Sequence, residues 1–131
     1  MIHRNALKKI ARARLKDADI LMASRRYDGA IYLCGYAIEI TLKSRICQTL
    51  KWQGYPSSKR EFHDYQSFRT HDLDVLLHLT GREQTIKTNF LAEWSAAAQW
   101  NPAARYQPVG TAKRNDAQLM ISAAKILMRR I

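Results

Sequence analysis

Carboxylates are scarce in this chain of 131 residues. There are 11 Asp and Glu against 22 Lys and Arg, for a formal net charge of +11. The few acids are scattered, which argues against a two-metal active site. Cysteine occurs twice. Cys34 and Cys47 fall in one predicted helix, and a rise of about 1.5 Å per residue sets them roughly 20 Å apart, too far to bridge within one chain. They read as buried thiols of a reducing compartment. No Cys/His spacing suggests a metal. No apolar run approaches the roughly 20 residues that span a bilayer. The opening stretch, "MIHRNALKKIARARLKDADI", is charged throughout and lacks an apolar signal core. These absences point to a cytoplasmic protein. Also missing are a glycine-rich phosphate loop, "GxSxG" and "HExxH". What remains is metal-free chemistry or plain binding, with no cofactor expected.

The positive charge is uneven. Residues 1–26 hold eight Lys/Arg and two Asp, and residues 112–131 hold five and one, while the middle is nearly balanced. Such polarity suggests an anionic partner, with nucleic acid first.

Helical periodicity is common and strand-like alternation is scarce. No repeat or low-complexity segment is present. A first helix is expected over Arg4–Ser24, with Leu7, Ile10, Ala11, Leu15, Ala18, Leu21 and Met22 facing inward. On another face Arg4, Lys8, Arg12 and Lys16 recur every four residues. Like charges at that spacing repel by a few tenths of a kcal/mol per pair. The stripe is either a nucleic-acid contact or a solvated face screened by salt. Asp28 reads as the N-cap of a second helix reaching about Leu50. That helix is apolar nearly all round, so it should be the central one. Gly35 in its middle suggests a close approach to the helix backbone.

Residues 51–70 read as a long loop, and long loops are often functional. Thr70 is expected to cap a short helix, "HDLDVLLHL". Thr80 and Glu83 fit a capping box that opens a helix carrying Ile86, Phe90, Trp94 and Ala97. A second loop, "WNPAARYQPVG", precedes a final helix from about Thr111. The sum is an all-α fold, an up-and-down bundle of four or five helices in one domain over 1–131.

Four side chains draw interest on chemical grounds. Glu39 and Lys43 stand in the favourable order for an i,i+4 pair, among Ile38, Ile40 and Leu42. Either the pair is structural or it lines a polar cleft with Tyr32 and Tyr36. His71 can act as general acid or base, or it can stabilise the start of its helix; His78, in a leucine run, should sit at the rim of the core. Arg105 and Tyr106, on a loop stiffened by Pro102 and Pro108, suit a phosphate or base contact. Alternatively, Arg105 packs on Trp100.

"RYDGAIYLCGYAIEITLKSRIC", then "FRTHDLDVLL", then "WNPAARY" together resemble the HEPN domain across nearly the whole chain. That resemblance implies a bundle of four or five helices, usually a homodimer. Many HEPN proteins are metal-independent endoribonucleases of toxin–antitoxin, phage-defence or RNA-processing systems. Others bind RNA or nucleotide without cleaving it. Stand-alone bacterial members often act beside a minimal nucleotidyltransferase. The nuclease members carry an Arg followed after four to six residues by a His, and no Arg–His pair here has that spacing. Arg60 and His63 are too close, as are Arg69 and His71, while His78 is too far from Arg69. The usual nuclease site is therefore not carried over. The resemblance carries over a polar set about the central helix, Glu39, Lys43, His71 and Arg105, which should converge, with Tyr36 and Tyr106 as further ligand contacts. The function expected is RNA, nucleotide or partner-protein binding with weak activity or none. The alternative is an endoribonuclease that uses His71 and Arg105. Gly35 and the tyrosines would then suit contact with a sister subunit.

Overall fold

The computed structural model describes residues 1–131 and is all-α, with one short ribbon. Helix α1 (Arg4–Ala23) and helix α2 (Tyr27–Leu50) form the long hairpin at its heart. Three residues join them, and Arg25 turns the chain with φ 60°. So short a link folds α2 back along α1. Later come α3 (Leu73–Thr80), α4 (Glu83–Asn89), α5 (Leu91–Ala98) and α6 (Arg114–Arg130). Helices α1, α3 and α6 all pack on α2. Its buried residues include Ala30, Cys34, Ala37, Ile38, Leu42, Ile46 and Cys47, spread around the helix. Apolar residues on every side make a helix the hub of its domain. Both thiols lie in that core unbridged, and burial pushes Cys34 up to about 12.

Local signals shift where tertiary partners claim them. Asp28 is not the cap of α2, because Arg26 occupies that position. Asp28 sits in the first turn, and its carboxylate accepts from the backbone N–H groups of Gly110 (2.7 Å) and Ala112 (2.8 Å). It thus ties the second loop to α2. Thr70 does not cap α3 either. Asp72 does, accepting from the amides of Asp74 and Val75, while the Thr70 hydroxyl accepts from Asp72 N–H. Thr80 ends α3 instead of opening α4. It is buried, and its hydroxyl donates to Leu77 O and accepts from Arg82 N–H. The helix expected through Ile86, Phe90, Trp94 and Ala97 breaks at Phe90. The break aims the Trp94 indole back at α3, where it donates to Asp74 Oδ1 at 2.8 Å. The last helix opens at Arg114, and Asp116 accepts from the Lys113 amide.

The segment read as an open loop is a folded layer. Two strands, β1 (Ile2–His3) and β2 (Gly54–Tyr55), pair antiparallel with Ile2 opposite Tyr55. Trp52, Tyr55, Phe62, Tyr65 and Phe68 meet in edge-on and tilted ring pairs with centroids 5.0–6.5 Å apart. The Tyr55 hydroxyl donates to Phe68 O, and burial lifts the phenol well above its usual pKa. Five aromatics in seventeen residues supply what regular structure does not: buried area and ring-edge contacts.

Candidate functional site

At about 100° per residue, Tyr32, Tyr36, Glu39 and Lys43 share one arc of α2, about 60° wide. Glu39 is the deepest of them and is only 3 % exposed. A buried carboxylate needs partners, and Glu39 has two. His71 Nδ1 donates to Oε1 at 2.8 Å, and the Lys43 ammonium donates to Oε2 at 3.4 Å. His71 reaches it from the turn before α3, held by the Thr70–Asp72 capping turn. In the neutral imidazole, an Nδ1–H given to the carboxylate leaves the lone pair on Nε2 of a largely exposed ring. The Lys43 ammonium also lies 5.3 Å from the centre of the Tyr55 ring.

This cluster lines a cavity of about 470 Å³. Its polar wall is Lys43, Ser57, Arg69, Thr70 and His71, and its apolar wall includes Leu7, Tyr55 and Phe62. No carboxylate side chain lines it, because Glu39 stands behind His71 and Lys43. Nor do three or more His, Cys, Asp or Glu residues gather anywhere in a metal-holding group.

The same face of α2 continues to Tyr36 and Tyr32. Their hydroxyls are 3.4 Å apart and their rings edge-on. The hydrogen bond with Tyr32, partial burial and the nearby Glu39 charge push the Tyr36 phenol up to about 12. Arg105 joins here from the 3-10 turn Pro102–Tyr106. Its guanidinium lies 4.7 Å from the Tyr106 ring centre, and the phenols of Tyr106 and Tyr32 hold its pKa above the ordinary value. Tyr106 itself is 77 % exposed. The result is a polar seam along α2, with Arg105 and Tyr106 at one end and His71, Lys43 and Arg69 at the other.

The predicted set is thus brought together in two parts. Glu39, Lys43 and His71 are in direct contact. Arg105 shares the seam but makes no hydrogen bond to Glu39 or His71, so it does not form one cluster with the imidazole. Gly35 does have a close neighbour, which is Trp100 of the same chain. A Cβ at Gly35 would fall 2.1 Å from the indole carbons, and the glycine is buried. It is therefore not free to meet a sister subunit. His78 lies on the surface, 3.3 Å from Glu83, instead of at the core rim.

The basic stripe of α1 divides. Rows at i,i+4 wind around a helix, about 40° per step. All four residues are exposed, but only Lys8 and Arg12 face a groove, shared with α2 and α6; Arg4 and Lys16 lie outside it. Sequence reasoning missed Arg69, which enters the cavity from the loop. The aromatic density of residues 52–68 was the signal that this loop is ordered.

Comparison with protein-family models, curated proteins and solved structures finds no match to this chain.

Proposed function

We propose that the protein is a HEPN-type domain that binds single-stranded RNA along the α2 seam without efficient cleavage. The observation that supports this most is the buried Glu39, which holds both a lysine and an oriented imidazole at the mouth of a cationic cavity. Lys43, Arg69 and Arg105 supply positive charge for phosphates. Exposed Tyr106, with Arg105 against its ring, supplies a face on which a base can stack. The bundle of the HEPN resemblance belongs to the same reading, as does its usual homodimer. Its other associations belong there too: a minimal nucleotidyltransferase partner and a role in toxin–antitoxin or defence systems. Titration of a labelled RNA oligonucleotide, followed by fluorescence anisotropy, tests the binding. Binding that weakens steeply with salt and with Arg105→Gln supports it, and binding indifferent to both overturns it.

A second reading has one specific observation behind it. A histidine whose Nδ1 is held by a buried carboxylate is set up as a general base at Nε2. It could take the proton from a ribose 2′-hydroxyl while Lys43 and Arg69 steady the charge on the phosphorane oxygens. Binding stands first because in-line cleavage also needs a proton donor for the leaving 5′ oxygen. The cavity holds only one imidazole, and its lysine is already engaged with Glu39. RNA cleavage in EDTA, lost in His71→Ala while RNA binding persists, would establish this second reading; intact RNA across many sequences would end it.

A further inference from the structure

On the opposite side of α2 from the seam lies a second concavity of about 660 Å³, walled by α1, α2 and α6. Five cations line it: Lys8 and Arg12 from α1, Arg45 from α2, and Lys125 and Arg129 from α6. No carboxylate side chain and no aromatic ring lines it. One of the five is neutralised at the edge, where Lys125 bridges to Asp19 at 3.0 Å. Lys8, Arg12, Arg45 and Arg129 make no ion pair within the chain. Arg45 reaches Gln48 through one terminal nitrogen, but its Nε is buried and has no acceptor. A buried donor without an acceptor is costly, and like charges crowded on one wall repel. The repulsion is relieved when an anion fills the groove.

The shape and lining narrow the anion. The groove runs from Lys8 to Leu15 along α1, about 10 Å at the helical rise, which is too short for a strand of RNA or a partner helix. Without an aromatic surface it has nothing on which a base can stack. Guanidinium groups from three helices, those of Arg12, Arg45 and Arg129, suit clustered phosphate oxygens. We infer that this groove binds a short condensed-phosphate chain, either free or as the triphosphate tail of a larger molecule, and that it reads the phosphates alone. The site is independent of the RNA-binding seam.

Isothermal titration of the full chain with inorganic tripolyphosphate, orthophosphate and ATP at about 0.15 M ionic strength tests this. Tripolyphosphate is expected to bind one to one, about tenfold or more tighter than orthophosphate, with ATP close to tripolyphosphate. Arg45→Gln with Arg129→Gln should weaken it about tenfold or more. Lys9→Gln with Lys59→Gln, which removes the same charge elsewhere, should leave affinity within about twofold. Arg69→Gln, on the seam, should leave it unchanged while weakening RNA binding, so the two sites fail separately. Thermal unfolding confirms that each variant is folded. No discrimination from orthophosphate overturns the inference, as does equal weakening by both double variants. ATP binding tenfold tighter than tripolyphosphate would also refute it, since a base would then be read.

Discussion

His71 and Glu39 stand 32 residues apart in the chain and 2.8 Å apart in the fold, Nδ1 against Oε1. The contact joins the turn before α3 to the central helix. It also supplies the buried carboxylate with a partner that the i,i+4 pairing alone does not give. The orientation of the imidazole, which lines the cavity, depends on it.

Removing that carboxylate should therefore be felt twice. Glu39→Ala strips the partner from Lys43 and releases His71. Breaking a buried pair costs about 3–5 kcal/mol, and the partial exposure of Lys43 and His71 lowers this to about 2–3. Urea denaturation measures it. A loss under about 0.5 kcal/mol would mean that the pair is incidental.

Gly35 is expected to resist even one added methyl. The Cβ of Gly35→Ala would collide with the Trp100 indole. Relief requires the indole to move, at a cost of about 1–3 kcal/mol. Lower stability together with a shifted tryptophan emission spectrum is the expected result. A variant as stable as the parent would show that Trp100 does not rest on this glycine.

Asp28 should give the second loop a pH-dependent anchor. The Ala112 and Gly110 amides that it accepts from hold its carboxyl below the ordinary value of 3.8. A depressed folded pKa adds stability that is fully present above the unfolded value and disappears as pH falls through the folded one. Asp28→Asn should cost on the order of 1 kcal/mol near neutral pH, discounted for solvent access. The gap from wild type should close as pH drops below about 4. Hydrogen exchange at Gly110 and Ala112 would report the same loss locally, and a gap that persisted at low pH would contradict this account.

How much of this was legible beforehand divides along physical lines. The periodicity of residues 4–23 and 27–50 gave two long helices, because an apolar stripe or sheath is a local signal. So was the Glu39–Lys43 pair, fixed by one turn of helix. Caps were less legible. Asp28, Thr70 and Thr80 each had the right chemistry, but a neighbour or a distant loop used their oxygens instead. The break at Phe90 follows from Trp94 reaching Asp74, a partner twenty residues earlier. The groove of Lys8, Arg12, Arg45, Lys125 and Arg129 could not be read at all, since it is assembled from three helices. The five aromatics of residues 52–68 were visible, but loop composition masked them.

The most direct test of the seam is the salt dependence of single-stranded RNA binding by wild type and by Arg69→Gln with Arg105→Gln. Neither arginine forms an ion pair within the fold, so the variant should remain folded. Removing one phosphate-neutralising cation should flatten the slope of log K against log salt by about 0.7 for a single strand. For the two arginines together the account predicts weaker binding with a slope shallower by about 1.4. An unchanged slope and affinity in a folded variant would place the RNA elsewhere and contradict it.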